Sequence, residues 1–522
     1  MFGPLLRRTR FRPEVWLVLG LVLSLGCADS PSEHDGPEWL VIGIDGADWG
    51  VVEDLWRQGR LPHLRALADG GVAGPLATDY GASPVIWTTV ATGVVPEVHG
   101  ITGFAVPTPE GDVPVSSRVR KVPALWNMLT TAGRRSAVVS WWASWPAEEI
   151  EGVVISDRTE HKVDARVSPL ALTPQFDDWV RQSKAEENLF DRRLTTYERD
   201  HVTQFVGRQL LDLELDLALI YFRGVDIASH RYWKYHQPEG FPEVTAEEIE
   251  EFGSIVESTY EATDAAIGRL VESVGPGTNV MVLSDHGFYA MDREEIRIQL
   301  DLDSILVRLG FQQRQGDAID WEGTTLYTFA TALFRPNKRV RYADGVAESE
   351  RAELRARLTA ELAKVTWAGG EPAFLVRDGG ERARRTGADF IVEALLDGAS
   401  RDLLYGEEVW ERAVSQVSFL SGTHSAHTPG LFFAAGPDVS PEASIEGLDI
   451  HDVPPTLLYG LGLPVGLDFA GKAREGLFTE DYRRRRPLRT VETWGVRGES
   501  EPLASSADEE ILDDLRALGY ID

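Results

Sequence analysis

Five short aliphatic runs most constrain this chain: Leu40–Ile44, Ala137–Val139, Leu217–Phe222, Val280–Leu283 and Leu431–Ala434. Each is bounded by turn residues and separated from the next by amphipathic stretches. That is the pattern of buried parallel strands with helices on both faces. The fold expected is therefore α/β, with a mainly parallel central sheet. The strongest helix spans about Ala246 to Val274. Thr245 and Glu248 open it as a capping box, and Ile249, Phe252, Val256, Ile267, Leu270 and Val271 form one apolar face. Residues 157–215 read as helical and charged, and residues 300–420 as mixed α/β. Both lie between strands and are expected as inserted cap segments over one end of the sheet. Residues 475–502, including Arg483 to Arg486, are expected as a surface excursion with a solvated basic run, and Glu509 to Ile521 as a short amphipathic helix.

Acidic and imidazole residues stand at the ends of these runs. Asp45 follows the first, Asp226 and His230 follow the third, and Asp285 and His286 follow the fourth. His424 lies in Ser-Gly-Thr-His a few residues before the fifth. Ligands of open parallel sheets bind beyond the carboxyl ends of the strands, where residues distant in sequence converge. Singly, each residue has an ordinary alternative, a helix-capping Asp or a packing His; the argument rests on six together. Three Asp and three His are hard-to-borderline donors suited to two zinc ions, or zinc with another divalent cation. The four-residue spacing of Asp226 and His230 lets one helical turn aim both at one ion. The segment from Gly81 to Thr89 adds the hydroxyls of Ser83, Thr88 and Thr89. Ser83 precedes Pro84 and is expected in a turn, with Thr88 and Thr89 opening the following helix. Such hydroxyls become nucleophiles when a base or a metal favours the alkoxide.

The amino terminus carries Arg7, Arg8, Arg10 and Arg12, then a mostly apolar run from Val15 to Leu25, then Gly26-Cys27. The run is too short to span a bilayer comfortably and fits a secretory signal. Its ending, Leu-Ser-Leu-Gly-Cys, is similar to a bacterial lipoprotein cleavage box with Cys27 as the lipidated residue. An ordinary cleaved signal or an uncleaved anchor is the alternative. Residues 1–27 are thus read as signal, 28–37 as tether, 38–475 as the main domain and 476–522 as a C-terminal extension. The protein is expected outside the cytoplasm, anchored to a membrane by lipid and facing the periplasm or the cell exterior. Cys27 is the single cysteine, so an intrachain disulfide and a cysteine zinc knuckle are both excluded. With 83 acidic against 52 basic residues, a net charge of -31, the surface repels a nucleic-acid polymer. A small phosphate ester remains compatible, because a metal ion reverses the local field.

Taken in order, these motifs resemble the alkaline phosphatase superfamily: Gly-Ile-Asp-Gly-Ala-Asp-Trp, Ser-Pro-Val-Ile-Trp-Thr-Thr-Val-Ala-Thr-Gly, Pro-Glu-Val-His-Gly, Asp226 with His230, Ser-Asp-His-Gly and Gly-Thr-His. Within it they are similar to the type I phosphodiesterase/nucleotide pyrophosphatase branch, from about Trp39 to Lys472. The resemblance implies an alkaline-phosphatase-like fold and a two-zinc site. Asp45, Ser83, Asp285 and His286 would surround one ion, and Asp226, His230 and His424 the other. His427 rivals His424 in the same short loop; Gly-Thr-His is the family's form. The resemblance also implies that Ser83 is the nucleophile and passes through a phosphoseryl intermediate. The chain departs from the pattern at Phe104, where nucleotide pyrophosphatases place an Asn that contacts a phosphoryl oxygen, so nucleotide substrates do not follow. His99 is expected to be structural. The leading expectation is a phosphodiesterase. A phosphomonoesterase, phosphonate hydrolase or head-group phosphotransferase on the same scaffold is the first alternative, and a catalytically silent, surface-anchored binding protein the second. A sulfatase is disfavoured, because the segment around Ser83 lacks the motif that makes formylglycine.

Overall fold

Eight strands form the central sheet: β1 (Trp39–Ile44), β2 (Gly71–Leu76), β3 (Ser136–Val139), β4 (Gly152–Ile155), β5 (Val167–Ser168), β6 (Leu217–Phe222), β7 (Asn279–Ser284) and β8 (Gly430–Ala435). Their spatial order is β2-β8-β7-β1-β6-β3-β4-β5. The run β7-β1-β6-β3-β4 is parallel, while β8 is antiparallel to both β7 and β2, and β5 is antiparallel to β4. The structure is a computed structural model and describes residues 36–108, 111–241, 244–291, 298–300, 302–316, 318–328, 337–367, 369–377, 388–395, 402–410, 414–417, 420–498, 500–518, 520 and 521. The signal, Cys27 and residues 28–35 of the tether lie outside the described residues. Among the described residues no helix is long and apolar enough to cross a membrane.

Strands β1, β6 and β7 are buried along their whole length, as the continuous aliphatic runs require. The helices that pack on this sheet or lead to the site are α1 (Ser83–Thr92), α2 (Tyr197–Leu211), α3 (Gly224–His236), α5 (Ile255–Val271), α6 (Val453–Gly460) and α7 (Asp508–Ala517), with a short α4 (Ala246–Phe252) before α5. On one face of the sheet Leu40, Ile42, Ile220 and Val282 pack against Val206 and Leu210 of α2 and Ile267 and Leu270 of α5. On the other face Val41, Leu219 and Leu283 pack against Ile86 and Val90 of α1 and Leu457 of α6. Each fully buried side chain of this kind contributes about 1.5–3 kcal/mol.

Several expectations change. The run Leu431–Ala434, read as a parallel strand, is the antiparallel β8. The chain re-enters the sheet from the end where His424 lies, so this strand starts where its parallel neighbours finish. The single helix over 246–274 is broken at Gly253 and Ser254 into α4 and α5. Glycine is costly inside a helix, and Ile249 on α4 stays 36% exposed instead of joining the core. The capping box forms as expected, with the Glu248 amide donating to Thr245 Oγ1 and the Thr245 amide to Glu248 Oε2. Residues 157–215 are not wholly an insertion, since they supply β5 to the sheet and α2 to its core. The 300–420 segment has its own core, including Leu306, Phe311, Val340, Phe390 and Trp410, beneath a four-stranded antiparallel sheet.

The stretch after 475 is also built in rather than a surface excursion. Phe478 and Tyr482 are buried, and the Tyr482 hydroxyl lies 2.8 and 2.7 Å from the carbonyls of Tyr459 and Gly460. Arg485 meets Asp438 and Asp481 at the surface, so the basic run is solvated, as expected.

Helix α1 lies close enough to β1 for the Trp87 indole to cover Gly43. A Cβ there would stand 2.8 Å from Trp87 and 3.0 Å from Tyr221. Gly43→Ala is therefore expected to destabilise the protein by about 1–3 kcal/mol through overpacking. Urea unfolding at constant m-value checks this, and an unchanged midpoint would refute it.

Candidate metal centre

Strand register builds the first half of the site. Ile44 of β1 lies opposite Phe222 of β6 and Ser284 of β7. The next residues, Asp45 and Asp285, consequently leave adjacent parallel strands side by side. Local bonds hold them there. The Asp45 amide donates to the Phe222 carbonyl at 2.9 Å, the Gly46 amide to Asp285 Oδ1 at 3.1 Å, and the Ala47 amide to Ser284 Oγ at 2.7 Å. The Tyr221 hydroxyl donates to Asp45 Oδ2 and accepts the Trp142 indole N–H at 2.6 Å. Trp141 and Trp142 are thus core residues, and Trp142 also supports the site.

His286 and Ser83 complete this half. His286 Nδ1 faces the Gly287 carbonyl at 3.1 Å; a carbonyl only accepts, so Nδ1 carries a proton. Its Nε2 then faces Asp285 Oδ2 at 3.3 Å, Ser83 Oγ at 3.4 Å and Asp45 Oδ1 at 3.7 Å. Ser83 is fully buried and is the first residue of α1, with Pro84 in the first turn where no amide is needed. Ser83 therefore begins the helix instead of preceding it in a turn, and Thr88 and Thr89 lie within that helix. Thr89 Oγ1 contacts His99 Nε2 at 3.1 Å, and His99 Nδ1 accepts the Ile101 amide at 3.2 Å. Burial, reinforced by Arg120, lowers the His99 pKa to about 3. It is a neutral brace between α1 and the next loop, as the structural reading expected.

The second half comes from α3 and the segment before β8. Asp200 on α2, buried, accepts the amides of Arg223 and Gly224 at 3.2 and 2.6 Å and so fixes the start of α3. Burial raises its pKa to about 6. One turn of α3 then presents Asp226 and His230 on one face, with Asp226 Oδ1 3.4 Å from His230 Nε2. His230 Nδ1 meets the Gly422 carbonyl at 3.0 Å. Residue 422 is glycine because a Cβ would stand 2.3 Å from the Ser229 carbonyl. That close approach carries His424 to Asp226 and His230, where all three offer ligand atoms within 4.8 Å of one another. The His424 ring also stacks on His286 at 3.5 Å. His427 is elsewhere, with its side chain 81% exposed and 3.8 Å from Asp79.

The two halves differ in electrostatics. Burial raises the pKa of Asp45, and neighbouring Asp226 raises it further. Asp285 is raised well above its ordinary value by burial and then by Asp45. Burial is the largest influence on Asp226 and pushes its pKa up, but His230, His286 and His424 together outweigh it, and its pKa falls. Asp45 Oδ1, Asp285 Oδ2, Asp226 Oδ1 and His230 Nε2 are buried without hydrogen-bond partners. Buried polar atoms left in this state are costly and rare. Carboxylate oxygens, imidazole nitrogens and a hydroxyl fit divalent cations of borderline hardness. A cavity of about 610 Å³ opens onto this group, lined by His230, His424, Phe104, Tyr520 and, from the 300–420 segment, Arg339. Sequence reasoning missed the contributions of Asp200, Arg339 and Tyr520, because none stands at the end of an aliphatic run. A third grouping, Asp79, Asp449 and His451, is only partly buried, and His451 bonds to Asp449 and, at 3.1 Å, to Tyr80.

Residues 39–378 match the family described as type I phosphodiesterase / nucleotide pyrophosphatase. Among solved structures, human ectonucleotide pyrophosphatase/phosphodiesterase 5 is similar at 16% identity and a TM-score of 0.44, over 85% of this chain and 100% of that one. Phosphonoacetate hydrolase from Sinorhizobium meliloti 1021, in complex with phosphonoacetate, is similar at 18% identity and a TM-score of 0.39, over 81% and 95%. No curated protein matches the chain.

Zinc added to chelated protein is expected to stabilise it by about 2.7 kcal/mol at a hundredfold excess over the dissociation constant. Asp285→Asn, which keeps an oxygen for the Gly46 amide, is expected to stabilise the chelated protein by about 1–3 kcal/mol and to lose most of the gain from zinc. Thermal unfolding reads both effects, and a wild-type melting curve unmoved by zinc would count against a cation site.

Proposed function

The chain belongs to the type I phosphodiesterase / nucleotide pyrophosphatase family, phosphoric ester hydrolases of the alkaline phosphatase superfamily, and from that premise we propose that it cleaves phosphodiesters at a two-zinc centre with Ser83 as nucleophile. Asp45, Ser83, Asp285 and His286 would hold one cation, and Asp226, His230 and His424 the other. The observation that supports this reading is the cluster of buried carboxylate and imidazole atoms, without hydrogen-bond partners and facing one another, around a buried serine hydroxyl. When bound, such cations neutralise phosphoryl charge and stabilise the attacking and departing oxygens.

The chain's own residues supply the rest. Ser83 Oγ bonds to phosphorus as the bond to the leaving oxygen breaks, and the serine proton departs with the released alcohol. Water then cleaves the phosphoseryl ester, which restores the Ser83 hydroxyl and frees a phosphate monoester. Ser83 sits at the amino end of α1, where the helix dipole favours the negative charge of the bound phosphoryl group. Carbonyl contacts at Nδ1 of His230 and His286 keep both rings turned toward the reacting centre.

The test uses the zinc-loaded protein with a bis-aryl phosphate and an aryl monophosphate. A diester preference of about a hundredfold, or about 2.7 kcal/mol of transition-state stabilisation, is expected, with loss of turnover in Ser83→Ala. A monoester preference would overturn the diester reading in favour of a phosphatase whose apolar Phe104 offers no donor to a second ester group.

For location, we propose export and anchoring through a lipid on Cys27, supported by the basic residues, apolar run and Leu-Ser-Leu-Gly-Cys sequence that precede the tether. Cys27→Ala is expected to move the protein from the membrane fraction to the soluble fraction after cell breakage. Retention in the membrane fraction would refute the lipid anchor.

A further inference from the structure

The residues after α7 reach the metal centre, although they lie far outside the region that matches the family. Helix α7 is fixed at its start by a buried cation. Arg158 lies 4.0 Å above the Trp145 ring, and its Nη1 donates to Asp508 Oδ1 at 2.7 Å and to Ser505 Oγ at 2.8 Å. Asp508 in turn accepts the Ser505 amide at 2.8 Å. At the other end of the helix, Leu518 packs with Ile227, Met291 and Leu420. The Tyr520 amide then donates to the Leu515 carbonyl at 2.9 Å, which turns the chain back toward the sheet.

Three contacts define where Tyr520 arrives. Its ring stacks face to face on Phe104, with centroids 4.4 Å apart and planes 5° from parallel. It meets the His230 ring edge-on at 5.3 Å. Its hydroxyl donates to Asp226 Oδ2. The other oxygen of the same carboxylate, Oδ1, has no hydrogen-bond partner and faces His230 Nε2. A carboxylate held at one oxygen by a fixed phenol cannot swing about its Cβ–Cγ bond, so Oδ1 stays aimed into the cluster. Phe104, which leaves the site without a polar side chain at that place, instead supplies the platform on which the phenol rests.

We propose that Tyr520 is a positioning residue of the metal centre: with its ring set by Phe104, its hydroxyl orients Asp226 so that one carboxylate oxygen is presented to a cation beside His230 and His424. The inference rests on the reading of Asp226 as a cation ligand. Partners of this kind, one bond removed from the ion, commonly govern affinity by 10–100-fold when removed. Tyr520 is not assigned any contact with substrate or any proton transfer.

The experiment is a zinc titration of the chelated full chain against a chromophoric chelator, comparing wild type, Tyr520→Phe and Asp226→Asn. Tyr520→Phe keeps the stack on Phe104 and removes only the hydroxyl. The expected result is that Asp226→Asn loses one of two zinc equivalents. Tyr520→Phe should keep both but bind one of them about tenfold or more weakly, with the other unchanged. A Tyr520→Phe titration identical to wild type, alongside the lost equivalent in Asp226→Asn, overturns the positioning role and leaves the ligand reading standing. Equal weakening of both equivalents also overturns it, as general damage to the fold. Full retention of both equivalents by Asp226→Asn overturns the ligand reading itself, and the role of Tyr520 with it.

Discussion

The site depends on one constraint, the register of β1 against β7. Because Ile44 lies opposite Ser284, Asp45 and Asp285 leave the sheet at the same height on neighbouring strands, about 4.8 Å apart in a regular sheet. Burial, and then Asp45 beside it, hold the Asp285 pKa well above its ordinary value, so a doubly charged pair is disfavoured at that spacing. A one-residue slip would relieve the repulsion but turn every side chain of β1 to the wrong face. The apolar packing on both faces of the sheet therefore enforces an arrangement that the two charges oppose.

Supports around the pair lessen the strain without removing it. Tyr221 and the Gly46 amide each engage one oxygen of a carboxylate, leaving Asp45 Oδ1 and Asp285 Oδ2 facing inward. Backbone carbonyls orient the rings of His286 and His230, and Asp200, bonded to the first amides of α3, holds the helix that carries Asp226. Most of these polar groups sit just past strand ends or in the first two turns of helices, where the neighbouring backbone is paired, while His424 comes from the loop before β8.

Much of this was legible in the sequence because a parallel sheet has a simple grammar. Continuous aliphatic runs marked β1, β6 and β7, and the Asp and His residues just beyond them are the ones the structure brings together. The direction of β8 was misread as parallel, although His424 before its run held the signal: a residue at the common end must precede a strand that starts there. The departures have local causes. Gly253 broke a helix whose apolar period continued across it. Residues 157–215 looked like an insertion because β5 contributes only Val167 and Ser168 to the sheet, too short a stretch to show a period. The closing Leu-Arg-Ala-Leu-Gly-Tyr is similar to bacterial members of the family, but the role of Tyr520, like those of Asp200 and Arg339, left no trace because it depends on tertiary docking, such as the Arg158 contact with Asp508, between residues 350 positions apart.

That separation has a consequence for how the protein matures. The centre draws side chains from Asp45 through Tyr520, so nearly every contact within it closes a long loop. Such contacts raise contact order and form late, after their loop-closure entropy has been met by the packing of the sheet. A chain halted after Phe222 already contains Asp45 and Ser83 but lacks every imidazole of the centre. The convergence of these donor atoms is thus a property of the finished molecule alone, and its appearance marks the completion of folding.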